Sequence, residues 1–145
     1  MKRLTHDAYY VQLLHLVAAR STCVRRAVAA IIVDVQHRVL ATGYNGVPSG
    51  FAHCIDTPCP GARDVSGDTR RCLAVHAEQN AILQCHELAR AHTLYLSVHP
   101  CKICALMIAN TPICRVVTLG AYADEGRVIL ACAGVELITF EPTAS

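Results

Sequence analysis

The chain holds 145 residues, of which 53% are hydrophobic and 17% charged. That length suits one compact domain over residues 1–145, with ample apolar material for a core and too little charge for extensive disorder. A formal net charge of +2, with Arg25-Arg26 and Arg70-Arg71 as pairs rather than patches, argues against nucleic-acid partners, and no stretch is apolar and long enough to span a membrane.

Residues 1–12 lack the uninterrupted apolar core of a signal peptide. Ala8, Val11, Leu14, Leu16 and Val17 recur at helical spacing, which predicts an amphipathic helix over residues 5–20. Residues 28–34 are dense in Val, Ile and Ala and predict a buried strand, with residues 39–44 as its hairpin partner and 34–38 as the turn. Residues 43–50 form a loop of Gly, Asn, Pro and Ser. Residues 51–73 have no clear period and read as an irregular insertion, long enough to need a staple or a function of its own.

Regular alternation follows: helix 76–89, strand 93–98, helix 101–109 stopped by Asn110 and Pro112, strand 114–119, helix 124–133 ended by Gly134, and strand 135–140. Repeated strand-helix-strand units predict a parallel portion of sheet. The expected fold is α/β, a three-layer α/β/α sandwich around a five-stranded mixed sheet.

The chemistry sits in His76-Ala77-Glu78 and Pro100-Cys101-Lys102-Ile103-Cys104. One imidazole and two thiols make three zinc ligands, and a catalytic site, unlike a structural one, leaves the fourth position open. Cys101 and Cys104 are three apart and can face one side of a helical turn, whose positive N-terminus favours ionised sulfur. Either half alone is weak: Cys-x-x-Cys also serves redox chemistry, and a lone His-x-Glu is usually helix surface. Together they match the pattern of zinc-dependent nucleobase deaminases, in which the Glu moves protons and does not ligate.

The chain resembles the deoxycytidylate (dCMP) deaminases of the cytidine deaminase superfamily over nearly its whole length. The resemblance rests on Ser21-Thr22-Cys23-Val24-Arg25-Arg26, on Thr42 through Gly50, on His76-Ala77-Glu78-Gln79-Asn80-Ala81-Ile82, and on His99 through Cys104. Ala29 departs from it, since the family commonly has Gly there, and the extra methyl could crowd the first strand. The resemblance implies a cytidine deaminase-like fold and hydrolysis of dCMP to dUMP and ammonia. Zinc-bound hydroxide would attack C4, with Glu78 as proton shuttle and His76, Cys101 and Cys104 as metal ligands. It further implies substrate contacts from Asn45, Ser49, Arg26, Ala77 and His99, and dCTP or dTTP effectors at the loop of Gly43, Tyr44, Asn45 and Gly46. A homo-oligomer, hexamer or dimer, is also implied. On the residues alone, Asn45 also reads as a turn former, Arg26 as a solvated cation, Tyr44 as core filler and His99 as a hydrogen-bonded loop residue.

Nine cysteines are an odd number and fit metal ligation in a reducing cytoplasm better than a secreted disulfide framework. Cys23, Cys54, Cys59 and Cys72, with His53 as a substitute, are candidates for a second, structural zinc that staples the insertion. Isolated buried thiols are the alternative. Cys85, Cys114 and Cys132 fall among apolar neighbours and are expected in the core. Competing functions are deamination of C5-modified dCMP (5-methyl or 5-hydroxymethyl), of another nucleoside or base, or of tRNA, and a non-catalytic zinc-binding interaction module, against which the intact Glu78 argues.

Overall fold

Among the described residues, 2–66, 68–120 and 124–142, the computed structural model builds five strands and four α-helices. They are α1 (His6–Ala18), β1 (Ala29–Val33), β2 (Val39–Tyr44), α2 (Ala77–Gln84), β3 (Thr93–Leu96), α3 (Lys102–Ala109), β4 (Arg115–Thr118), α4 (Asp124–Cys132) and β5 (Glu136–Thr139). The sheet order is β2-β1-β3-β4-β5. β1 is antiparallel to β2 and β3, whereas β3, β4 and β5 run parallel. The mixed sheet and its parallel half are as the alternation predicts.

Side chains on a strand alternate between faces, and here both faces are covered. Ala29, Ile31 and Val33 pack with Tyr95 and Val117 under Tyr10 and Leu14 of α1. Ala30, Ile32, Leu94, Leu96 and Val116 pack with Ala81 of α2, Ile108 of α3 and Leu130 of α4. One helix therefore covers one face and three the other, which makes the three layers. Being buried on both sides, β1 carries five apolar residues in a row. Ala29 is fully buried. Its N–H donates to Ser97 Oγ at 2.9 Å and its carbonyl accepts from Ser97 N–H at 3.1 Å.

Several expectations need correction. α2 stops at Gln84, not 89, because Cys85 takes an extended ψ of 97° and a separate 3-10 turn, Leu88–Arg90, follows. α3 begins at Lys102 with Cys101 as its N-cap, so Pro100 precedes the helix. Leu16 is 70% exposed, since it lies two residues past the buried Leu14 and so on nearly the opposite side of the helix. Cys85 is buried as expected, but Cys114 and Cys132 are exposed. The first lies just before β4 and the second ends α4, where apolar sequence neighbours do not ensure burial.

Candidate metal centre

His76 and Cys101 are the N-caps of α2 and α3, both with extended backbone. A cap residue points its side chain out of the helix end, so the two helix starts hold the donors between them. His76 is fixed by its own N–H, which donates to Gln79 Oε1 at 2.8 Å. Cys101 starts the first turn of α3 by accepting from Ala105 N–H at 2.8 Å, and Cys104 lies buried one turn on. His76 Nδ1 is 3.3 Å from Cys104 Sγ and 3.6 Å from Cys101 Sγ. The three ligand atoms lie within 4.8 Å of one another, and no other set of three His, Cys, Asp or Glu does so among the described residues.

The electrostatics of these groups call for a cation. Hydrogen bonds from the Cys104 thiol and from His76 draw the Cys101 thiol down to about 3. The same contact with Cys101, together with burial, pushes Cys104 up, since a second anion beside the first is opposed. Hydrogen bonding to Cys101 raises His76. The protein alone thus favours one thiolate, and a divalent cation is what makes two favourable. His, Cys and Cys with a fourth position open suit zinc. Behind the donors, Glu78 is only 3% exposed, and burial pushes its carboxyl up from the ordinary range.

Of the expected substrate contacts, Ala77 is fully buried at the start of α2. Arg26 is exposed and close enough to His76 to oppose the charge on its ring; Ser49 is exposed. Asn45 braces the chain around it. Its Oδ1 accepts from Val28 N–H at 2.9 Å and Ser21 Oγ at 2.6 Å, and its Nδ2 donates to Arg26 carbonyl at 2.8 Å. His99 is turned toward the sheet, with Nε2 2.7 Å from Thr118 Oγ1. Tyr44 is half-buried, its carbonyl accepting from Asn80 Nδ2 at 2.8 Å. Gly43 and Gly46 are required by packing: a Cβ at Gly43 would lie 2.3 Å from Ala77 O, and one at Gly46 would lie 2.3 Å from Thr22 Oγ1.

Arg25 makes a tie that its sequence context does not mark. It donates to the carbonyls of Gly61 and Asp64, each at 2.9 Å, and ties the insertion to the segment after α1. Nothing in its local pattern distinguishes it from Arg26. Within the insertion Cys54 and Cys59 are buried, and Cys59 N–H lies 3.5 Å from Cys54 Sγ. The backbone N–H of Leu73 leads the groups that draw the Cys59 thiol down to about 7. Cys72, raised by burial, feels both Cys59 and Cys23. Gly67 lies outside the described residues.

A His/Cys/Cys donor set on two helix starts, backed by a buried carboxylate and carried by a mixed sheet, defines a metal-dependent enzyme-type centre. Residues 4–120 match the family model described as the cytidine and deoxycytidylate deaminase zinc-binding region. Deoxycytidylate deaminase of Mycobacterium phage D29 is 42% identical over 124 residues, covering 81% of this chain and 96% of its own length. That of Saccharomyces cerevisiae is 37% identical over 99% of this chain, but the match spans only 47% of the yeast protein, so the chain has about half the length of that relative. A crystal structure of dCMP deaminase from the cyanophage S-TIM5, in complex with dCMP and dUMP, superimposes with a TM-score of 0.75 at 28% identity, covering 97% of this chain and all of that one. The chain belongs to the cytidine and deoxycytidylate deaminase zinc-binding family.

Proposed function

We propose that this protein hydrolyses dCMP to dUMP and ammonia, with His76, Cys101 and Cys104 holding zinc and Glu78 moving protons. The observation that carries the reading is the buried Glu78 carboxyl behind the three donors. The likeness to phage and cyanophage proteins named for dCMP supports the substrate. Zinc held there supplies Lewis acidity, which lowers the pKa of a coordinated water toward about 7. Glu78 takes one proton from the attacking water and delivers it to N3 of the pyrimidine, then takes the second from the new C4 hydroxyl and gives it to the amino group, which leaves as ammonia while the C4 carbonyl forms. Water oxygen is gained at C4 and ammonia is lost, so the overall balance is dCMP plus water to dUMP plus ammonia. Burial moves the Glu78 pKa up from the ordinary carboxyl range, the direction that suits a group which must both accept and return a proton.

Ala77, as first residue of α2, has an N–H without an intrahelical acceptor and is a donor for the pyrimidine carbonyl. Asn45 Nδ2, which spends one hydrogen on Arg26, has a second for the sugar. Arg26 and Ser49 are the phosphate contacts of the proposal: both are exposed, and an Arg fork matches phosphate. His99, immediately before Pro100 and Cys101, lines the pocket mouth in this proposal. The loop of Gly43, Tyr44, Asn45 and Gly46 is the proposed place for dCTP and dTTP effectors.

The second, structural zinc is part of the same proposal: Cys23, Cys54, Cys59 and Cys72, which are not gathered as closely as the His76 set, would be drawn together by the metal. Its support is the mutual influence of these thiols and the lack of regular structure among the described residues of 51–73. One zinc per chain in fully loaded, active protein would remove it. A cytoplasmic setting follows from the need to keep thiolate ligands reduced. A dimer or hexamer is proposed on the exposed Leu83 of α2 (74%) and Ile103 of α3 (63%), to be checked by sedimentation equilibrium.

The functional test is ammonia release from zinc-loaded protein given dCMP, 5-methyl-dCMP, deoxycytidine or CMP, with and without dCTP. Preferential turnover of dCMP is expected. Turnover mainly of the methylated nucleotide keeps the chemistry and assigns a wider pocket; no release from any of them overturns the proposal.

A further inference from the structure

The two residues before Cys101 are gripped from two other elements. His99 Nε2 lies 2.7 Å from Thr118 Oγ1, and Thr118, the last residue of β4, is fully buried. Thr118 is itself held, since its carbonyl accepts from Phe140 N–H at 2.8 Å and it is in register with Leu96 of β3 and Thr139 of β5. Gly126 of α4 presses on Pro100: a Cβ there would lie 2.3 Å from the Pro100 carbonyl oxygen and 3.6 Å from Ala105 Cβ. The contact is with backbone, so the atom cannot swing away as a side-chain tip would. Two residues before His99, Ser97 is bound to Ala29 of β1 through both its N–H and its hydroxyl. The segment from β3 to α3 is therefore pinned at 97 by β1, at 99 by β4 and at 100 by α4, immediately ahead of the Cys101 cap.

We propose that Thr118 and Gly126 are positioning residues of the metal centre: they set the placement of His99–Pro100, and through it the separation of Cys101 and Cys104 from His76. This rests on the reading of those three residues as the metal ligands. Neither Thr118 nor Gly126 is one of the donors, and each acts through the peptide that carries Cys101. A metal centre responds to such support, because ligand geometry is fixed by groups beyond the ligands themselves, and their loss typically lowers metal affinity about 10- to 100-fold. Thr118→Val preserves the shape of the side chain and removes only the hydroxyl. Gly126→Ala adds one methyl at the closest backbone approach.

The test uses cobalt(II) in place of zinc on the full chain. It reads the thiolate-to-cobalt and d–d absorption bands, which report coordination geometry, and the affinity in competition with a chromophoric chelator. Thr118→Val and Gly126→Ala are expected to shift the bands and to bind cobalt at least about tenfold more weakly, while Thr118→Ser restores both to the wild-type result. Metal-free melting curves are recorded alongside, and Thr118→Val carries the test should Gly126→Ala fail to fold. Wild-type bands and affinity in folded Thr118→Val overturn the proposal. Cys101→Ser is the separate control. If it too keeps the wild-type bands, the ligand assignment itself falls.

Discussion

Glu78 is a carboxyl group nearly cut off from water, beside three groups that a cation would draw together. Its charge is the wrong one to bury without purpose, and its distance in sequence from Cys101 hides that the two meet. Glu78→Gln keeps shape and hydrogen-bonding capacity and removes proton transfer. Metal content should stay at the wild-type level while ammonia release falls by about a hundredfold or more. Loss of metal in that variant would instead make Glu78 a ligand. Asn45 illustrates a different residue-scale lesson. The sequence marks it as a loop residue, but its acceptors and donors, Ser21, Arg26 and Val28, lie well back along the chain and meet it only once β1 and β2 have paired. Asn45→Ala leaves the buried Val28 N–H without its acceptor, so a loss of about 1–3 kcal/mol is expected in the stability measured by urea unfolding.

At the scale of elements, α1 is fastened by a polar network around Asp7. Asp7 accepts from both terminal nitrogens of Arg115, at 3.0 and 2.7 Å, and from Tyr95 hydroxyl at 2.7 Å, beside a cleft of about 370 Å³ also lined by His6 and His37. The Arg115 guanidinium holds the Asp7 carboxyl below the usual range, with partial burial opposing it. A carboxylate whose folded pKa lies below its unfolded value of about 3.9 binds more protons when unfolded. Its contribution is therefore complete above that unfolded value and is lost as pH falls through the folded pKa. Urea midpoints taken from neutral to strongly acid pH should fall less steeply in Asp7→Asn than in the wild type; equal slopes would remove Asp7 from the account. On the opposite face α2 lies directly on β2, where Gly43 admits the Ala77 carbonyl. Gly43→Ala should cost about 1–3 kcal/mol by overpacking, read from the same urea curves. Strands and the ends of α3 and α4 were legible because apolar runs mark the first and Asn110-Pro112 and Gly134 the second. The early end of α2 was not, since Cys85 through Ala89 carry helix-compatible residues and it is packing around Cys85 and the turn at Leu88–Arg90 that break the helix.

For the molecule as a whole, the least regular part is the insertion, residues 51–73, and the question is what keeps it down. It has no core of its own: Val65 is wholly exposed, and Phe51 and Ile55 are each 54% exposed. Arg25 binds the carbonyls of Gly61 and Asp64, Ile55 N–H reaches Thr22 carbonyl at 3.0 Å, and Gly61 packs against Cys72 so closely that a Cβ would lie 2.5 Å from its backbone. The sequence announced the four thiols but none of these ties, because each joins residues brought together only by the finished sheet. If the thiols hold zinc, the metal adds a cross-link that the few hydrogen bonds cannot replace. Trypsin should then cut at the exposed Arg63, Arg70 and Arg71 far faster after chelation than before. Cys101→Ser, which breaks the other centre, should keep this zinc protection. Cleavage at the same rate with and without zinc in that variant would mean that Arg25 and the backbone contacts alone hold the insertion, and that the thiols are buried side chains and nothing more.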